Sequence, residues 1–284
     1  MRRYNFWQVC VCLMFALFGQ AHAETVALVS DILGTVKTGS TVVKLLDAIP
    51  SGARIDLSAG ARLTLIYIAK GEEYRLSGPG SYQVDAAIPQ TISGSAPVKQ
   101  ASIGGVLSGK KIHAENVSQA TLTMRGVRKV RRSLEPLSPS GSITLADPLQ
   151  LSWREPTEGL AYQIQLIDSQ NKVLISQEVT GNSFILPAEI RLSGGAYYVW
   201  NLSTTIPDGS LVTSSAQFRV ATNEAREQAA KIRPAKDGTV SERVVYGLWL
   251  EAENLVNEAH QVWDQLAVEF PDQPNLFDRA ARGL

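Results

Sequence analysis

The chain has little cysteine, and both cysteines lie near one end. Among its 284 residues only Cys10 and Cys12 carry a thiol, and both fall within residues 1–23. If that segment is removed, the remainder can form no disulfide, no thiolate nucleophile and no cysteine-ligated metal site. Neither cysteine follows small residues at the end of the apolar run, so we do not expect a lipoprotein.

Histidine is scarce as well, which narrows the search for catalytic groups. After residue 23 only His113 and His260 remain, and no HExxH or His-Cys spacing surrounds either of them. His260 is expected to lie on the surface of a helix. The chain also lacks a GxSxG elbow and a phosphate loop ending in GK[ST]. These absences predict a protein without catalytic residues, metal or cofactor, unless a site is assembled across domains.

Charge of either sign is in balance, with 27 Lys and Arg against 27 Asp and Glu. This balance argues against nucleic acid as the main partner. The one marked charge block after residue 23 is basic, and on a helix Arg125, Arg128 and Arg132 would share one face. Two interpretations stay open for this run: a solvated connector, or a patch that faces an anion or a lipid.

The first twenty-three residues have the pattern of a secretory signal peptide. Arg2 and Arg3 precede an almost wholly apolar stretch over residues 6–18, and Ala21-His22-Ala23 supplies small residues at the cleavage positions. No second apolar run is long enough to cross a bilayer. The sequence therefore predicts a periplasmic chain that begins near Glu24 and does not span the membrane.

Short runs separated by glycine turns predict a small all-β unit after residue 23. In the fifth run alternate residues fall on opposite faces, the periodicity of a half-buried strand: Leu63, Leu65 and Tyr67 against Arg62, Thr64 and Ile66. The predicted strands are Val26 to Val29, Gly34 to Lys37, Thr41 to Leu46, Arg54 to Leu57, Ala61 to Ile68, Glu73 to Leu76 and Tyr82 to Val84.

The order of these parts resembles the FecR-like periplasmic domain family over residues 25–85. The resemblance rests on Gly34-Thr35-Val36, Ile49 to Ile55, Ala61 to Leu65, and Lys70-Gly71 leading to Tyr74 and Leu76. Many members carry an acidic residue before the second turn glycine, where this chain has Lys70. The family's role in relaying an outer-membrane signal implies a signalling or adaptor function here.

A second β unit is indicated over residues 139–222. Leu149, Leu151 and Trp153 alternate along one predicted strand. Further along, the spacing from Leu192 to Tyr198 resembles the tyrosine corner of a fibronectin type III sandwich, in which the phenol bonds to upstream backbone. Alternation sends Tyr198 and Trp200 to one face and Tyr197 to the other. Two interpretations stay open: one of these faces is simply the core, or Tyr197 is in addition an exposed platform for a sugar or peptide.

From Asn223 the period becomes helical. Thr239 and Glu242 form a capping-box pattern, and a helix pair follows that ends before Pro271. The spacing of Gly247, Ala259, Trp263 and Pro271 resembles a tetratricopeptide repeat. One such pair cannot bury its own apolar face, so we expect it to pack on the sandwich, on flanking helices or on a partner.

Taken together, these patterns predict a multi-domain, mainly β interaction protein with a short helical end. It predicts an adaptor or sensory partner of an envelope or membrane receptor system, with a polysaccharide-binding protein as the alternative. The candidate interaction residues are Trp249, Trp263, Phe270, Tyr197, Arg125, Arg128 and Arg132. The predicted divisions are a signal peptide 1–23, a FecR-like domain 24–96, a connector 97–138 with possible extra strands, a fibronectin type III-like sandwich 139–222 and a tetratricopeptide-like segment 223–284.

The signal-peptide pattern generates the first testable prediction. Amino-terminal sequencing of the protein from a periplasmic extract is expected to start at Glu24, because Ala21 and Ala23 fit the two recognition positions. A membrane-bound product that retains Met1 would contradict this prediction.

Overall fold

The computed structural model describes residues 24–101, 103–110, 112, 134–145, 148–155 and 157–281. Over these ranges the chain is mainly β, with several sheets and four short helices toward its C-terminal end. The predicted signal peptide, His113 and the basic run Arg125 to Arg132 lie outside the described residues. Within the ranges given, no helix combines the length and the apolarity needed to cross a bilayer.

Ten strands form the N-terminal unit, and every run predicted as a strand overlaps one of them. They make two five-stranded sheets, in the orders β10-β7-β6-β1-β4 and β3-β2-β5-β8-β9, whose buried residues belong to one apolar cluster. The strands are β1 Thr25–Leu33, β2 Val36–Thr38, β3 Thr41–Val42, β4 Ala48–Pro50, β5 Ala53–Leu57, β6 Arg62–Tyr67, β7 Glu72–Ser77, β8 Gly80–Val84, β9 Pro89–Ser93 and β10 Val98–Gln100.

The N-terminal unit extends beyond the predicted boundary at residue 96. Strand β10 pairs with β7, and the 3-10 helix Ile103–Leu107 follows it with Leu107 fully buried. Gly71, at the turn before β7, approaches this helix so closely that a Cβ would lie 1.8 Å from the Gly104 carbonyl oxygen. Its φ of +64° is also one that glycine adopts readily. This part of the predicted connector thus packs on the first unit.

Eight strands form the second unit as a sandwich of a three-stranded and a five-stranded sheet, in the orders β11-β13-β16 and β12-β18-β17-β14-β15. Both sheets contribute to a separate apolar cluster that includes Leu151, Trp153 and Trp200. The Tyr198 hydroxyl oxygen accepts a hydrogen bond of 2.7 Å from the Ser193 N–H, the upstream backbone bond expected from the sequence. The strands are β11 Glu135–Ser138, β12 Ile143–Thr144, β13 Gln150–Arg154, β14 Ala161–Asp168, β15 Val173–Thr180, β16 Ser183–Ile185, β17 Tyr197–Thr205 and β18 Leu211–Val220.

Four helices complete the chain: α1 Asn223–Ile232, α2 Val240–Ala252, α3 Val256–Glu269 and α4 Pro274–Ala281. The predicted capping box begins α2, since the Thr239 side chain accepts from the Glu242 N–H and the Glu242 carboxylate accepts from the Thr239 N–H. Every residue from Val244 to Leu250 is buried. A helix that is buried on all sides must be covered by more than one neighbour.

One of the neighbours of α2 is the first sheet, and here the sequence expectation was incomplete. The Ser241 hydroxyl is 2.6 Å from a Glu73 carboxylate oxygen and 2.9 Å from the Ser30 hydroxyl, so the start of α2 bonds to β7 and β1. Farther along, Asn275 donates 2.8 Å bonds to the Leu45 carbonyl oxygen and to the Asp47 carboxylate. The helical end therefore packs on its own flanking helices and on the N-terminal unit, which sequence reasoning had not considered.

This docking also corrects the prediction that β6 is half-buried. Thr64 is 6% exposed and Ile66 is 0% exposed, although they alternate with the core residues Leu63 and Leu65. Ile66 is paired with Glu73, the residue that the start of α2 contacts, so Ile66 lies on the sheet face that the helices cover. The strand is buried on both faces because a distant part of the chain covers the second one.

Within the helical end, α2 and α3 approach each other closely at Gly247. A Cβ built on Gly247 would lie 2.6 Å from two ring carbons of Trp263, a distance that atoms in contact do not reach. The Trp263 ring N–H donates a 2.9 Å bond to Glu251, and Glu251 also accepts from Arg279. The Arg279 guanidinium carbon lies 5.4 Å from the centre of a Trp263 ring, which joins α4 to the pair.

We predict that Gly247→Ala lowers the free energy of unfolding by about 1–3 kcal/mol, because the added methyl overpacks the contact with Trp263. At an exposed position inside a helix, replacing glycine by alanine would instead raise the free energy of unfolding by up to about 1 kcal/mol. The sign of the change therefore distinguishes a packed Gly247 from an exposed one. Thermal and urea unfolding measure the effect. Gly105→Ala is the matched control, since its Cβ meets nothing within 4 Å. Equal midpoints for both variants would argue against this helix contact.

Removing residues 223–284 is predicted to destabilise the N-terminal unit and to spare the sandwich. The truncation uncovers Ile66 and Ser30, whereas Trp153 and Trp200 belong to a core without helical residues. Limited proteolysis with mass spectrometry should locate new cuts in residues 24–112, with residues 134–222 resistant. A truncated chain as protease-resistant in both units as the whole protein would contradict the docking.

Candidate functional site

A groove runs along the border between the sandwich and the helices. It consists of three adjoining recesses of about 470, 130 and 460 Å³. The first and second recesses share Leu145 and Arg233, the second and third share Arg226, and the third and first share Pro148 and Leu149. We call these three recesses together the junction groove.

Helix α1 supplies one wall of the junction groove. It begins at Asn223 and is capped by Thr222, whose side chain accepts a 3.3 Å hydrogen bond from the Ala225 N–H. Arg226, Ala230 and Arg233 follow at intervals of four and three residues, which places them on one face of the helix. All three residues line the second recess, so this face of α1 is turned toward the groove.

The floor of the groove is fixed by hydrogen bonds between α3 and the sandwich. Glu258, in the first turn of α3, accepts bonds of 2.6 Å from the Thr144 hydroxyl and 2.7 Å from the Leu145 N–H. The Asn257 amide donates a 2.9 Å bond to the Ser142 hydroxyl. A charge-assisted contact to backbone of this kind holds the two units in register. The groove is therefore built jointly by two parts of the chain.

Among the described residues that line the junction groove, cations outnumber acids. Arg243 donates two hydrogen bonds to Glu269, one of them 3.0 Å long, and this bonding raises the pKa of Arg243 and lowers the pKa of Glu269. Among the described lining residues Glu258 is the single acid, and it is engaged at the floor. Within the part of the chain that the structure describes, four lining cations form no ion pair: Arg191, Arg226, Arg233 and Lys236.

The third recess combines these charges with apolar side chains. Leu186 is 7% exposed, and the residues around it come from the loop after β16, the segment before β13 and helix α1. A partner would meet aliphatic surface beside the Arg191 and Arg226 guanidinium groups. The aliphatic and proline lining consists of Pro148, Leu149, Leu186, Pro187, Ala188, Ile190 and Leu192.

Three of the interaction residues proposed from sequence do not form a free surface. Trp249 and Trp263 are each 1% exposed, and Phe270 is partly buried against the same apolar cluster. These side chains fill the core formed where α2 packs between the first sheet and α3, and Trp263 also contacts Gly247. The expectation that these tryptophans contact a partner is therefore wrong for this fold.

Tyr197 is exposed, as one of its two interpretations requires. It is 58% exposed, whereas Tyr198 is 4% and Trp200 is 0% exposed, so the predicted alternation of faces is confirmed. The Arg219 guanidinium carbon lies 5.8 Å from the Tyr197 ring centre, on the adjacent strand. The ring and the guanidinium thus stand together at one end of the five-stranded sheet.

The outer face of that sheet continues from Tyr197 as hydroxyl and amide side chains, which we call the outer sheet face. The Gln163 and Gln165 amides donate to the Ser176 hydroxyl at 2.9 and 3.4 Å across the strands. Strand pairing sets the polar residues in two neighbouring rows: Ser215, Asn201, Gln165 and Ser176, then Thr213, Ser203, Gln163 and Glu178.

The described residues contain no group of three or more His, Cys, Asp or Glu side chains placed to hold a metal ion. His260 pairs on its own helix with Asp264, at 2.8 Å between Nδ1 and a carboxylate oxygen. The sequence candidates Arg125, Arg128 and Arg132 lie outside the described ranges.

The cations of the junction groove were missed because the sequence separates them. Arg191 belongs to the sandwich, whereas Arg226 and Arg233 belong to the helical end. The sequence offered one signal for the groove: Arg226 and Arg233 are seven residues apart, a spacing that places two residues on the same face of a helix. Nothing local indicated that this face turns toward Arg191.

No protein-family model matches the chain, and no curated protein matches it. Among solved structures, CopC from Methylosinus trichosporium OB3b aligns with 32% of this chain and 94% of CopC, at 19% identity and a TM-score of 0.26. A β-glucuronidase from Parabacteroides merdae aligns with 31% of this chain and 13% of the enzyme, at 12% identity and a TM-score of 0.22. At these TM-scores neither likeness carries a fold or a function to this chain.

Proposed function

We propose that the chain is a secreted, periplasmic, non-enzymatic interaction protein that serves an envelope or membrane receptor system as an adaptor or sensory partner. The observation that carries this proposal is the junction groove, where cations that form no ion pair within the described residues stand beside aliphatic side chains. Protein partners present both charge and apolar groups, and arginine is enriched where proteins meet. The hydrogen bonds of Glu258 join helix α3 to the sandwich at the groove, which supports a binding surface that is formed before a partner binds.

We further propose a modular composition of a FecR-like unit, a fibronectin type III-like sandwich and a tetratricopeptide-like end. The three-plus-five strand order and the bond from Ser193 to Tyr198 support the sandwich assignment. The close contact of Gly247 with Trp263 supports the repeat assignment, since both belong to the spacing noted in the sequence. Folds of this kind serve many unrelated functions, so the proposed binding function rests on a particular surface, the junction groove.

A second candidate function is binding of a cell-wall or envelope polysaccharide. The observation that favours it is the outer sheet face, where the exposed Tyr197 ring adjoins rows of amide and hydroxyl groups. An aromatic ring offers a face for a sugar, and amides and hydroxyls exchange hydrogen bonds with its hydroxyl groups.

Cross-linking in the producing organism, followed by isolation of the tagged protein, tests the choice between these functions. We expect a specific envelope protein to be cross-linked and purified peptidoglycan to leave the tagged protein in solution. Tyr197→Ala should keep the cross-link, because Tyr197 lies outside the junction groove.

Retention on peptidoglycan or on envelope polysaccharide, lost in Tyr197→Ala, would reject the adaptor function in favour of the alternative. Lys172→Ala is the control for that variant, since Lys172 is exposed and lies at the turn beyond β14.

A further inference from the structure

We propose that the junction groove binds an extended, acidic segment of a partner protein, with apolar side chains between its carboxylates. This inference deepens the proposed function and rests on it for the protein nature of the ligand.

Charge is the first argument. Arg191, Arg226, Arg233 and Lys236 line the groove without an ion pair in the described chain, although the whole sequence is balanced at 27 basic and 27 acidic residues. A cleft lined by one sign of charge concentrates ligands of the other sign. Three of the four cations are arginines, whose planar guanidinium group matches a carboxylate with two parallel hydrogen bonds. The complementary ligand is therefore anionic.

The placement of these cations favours a polymer over a small anion. Arg226 lies within α1 and Arg233 is the C-cap of that helix, seven residues further along, which corresponds to a rise of about 10 Å at 1.5 Å per residue. The cations are distributed over the three recesses, and no recess holds all four. Arg233 and Lys236 line the first, Arg226 and Arg233 the second, and Arg191 and Arg226 the third. An extended chain that advances roughly 3.3 Å per residue matches this spacing with carboxylates a few residues apart.

The lining between the cations favours a peptide over an anionic polysaccharide. Pro148, Pro187 and Ile190, which are each at least partly exposed, offer aliphatic contacts that a peptide side chain can fill. Tyr246 is the one aromatic residue among the described lining residues, and at 7% exposed it presents no ring face to a sugar. The occupant thus needs carboxylates for the arginines and apolar side chains for the recess beside Arg191.

Fluorescence anisotropy of a labelled peptide tests the proposal on the purified protein. The probe has about ten residues, spans roughly 33 Å when extended, and alternates glutamate with leucine and serine. We expect saturable binding that Arg226→Gln/Arg233→Gln weakens by about tenfold or more. Arg191→Gln, on the opposite wall, should weaken it severalfold. Thermal unfolding of each variant checks that the fold is kept.

The matched control is Lys37→Gln/Lys172→Gln, which removes the same charge from exposed positions outside the groove. It should bind the peptide like the unaltered protein. If the control weakened peptide binding as much as the groove variant, the effect would come from net charge alone, and the proposed site would be wrong. The proposal also fails if polyglutamate, polygalacturonate or phosphatidylglycerol vesicles displace the peptide as well as an unlabelled copy does, because the aliphatic recess would then contribute nothing.

Failure of the groove and failure of the adaptor function are distinguishable. If the envelope cross-link persists in Arg226→Gln/Arg233→Gln while peptide binding is absent, the groove proposal is wrong and the adaptor function stands. If the peptide binds through these arginines but no envelope protein is cross-linked, the groove is a peptide site and the adaptor function is wrong.

Discussion

The packing of α2 against the sheet β10-β7-β6-β1-β4 of the N-terminal unit is the contact on which the rest of the structure depends. Ile66 is fully buried on this sheet face together with the polar Thr64, and the helix that covers them begins about 175 residues further along the chain. The hydroxyl of Ser241 joins this contact to Ser30 and Glu73 with hydrogen bonds, so the buried polar groups are satisfied where the surfaces meet. The two ends of the described chain are thereby brought together.

The junction groove follows from that closure. Because the helical end is held on the N-terminal unit, the sandwich that precedes it in the chain must lie beside the helices. Glu258 then fixes the contact through Thr144 and Leu145, and the arginines of α1 face the sandwich loop that carries Arg191. A binding surface made in this way needs both units in place, whereas the outer sheet face with Tyr197 belongs to the sandwich alone.

Local signals in the sequence predicted local structure well. The capping box of Thr239 and Glu242, the strand alternation around Tyr198 and the bond of Tyr198 to upstream backbone are all determined by residues near one another in the chain. The cover of Ile66 was not predictable in the same way, because periodicity indicates which face of a strand is apolar but not which distant element covers it. The same limit hid the groove, whose cations are contributed by elements that meet only in three dimensions.

The central claim is that the helical end and the N-terminal unit form one cooperative structure, and hydrogen exchange of the intact protein tests it most directly. Amides of α2 and of β1 and β6 are expected to exchange with the same opening free energy and the same dependence on denaturant, because they open together. Fast exchange throughout α2 with β6 still protected would show that the helices are an independent appendage, and would contradict the account.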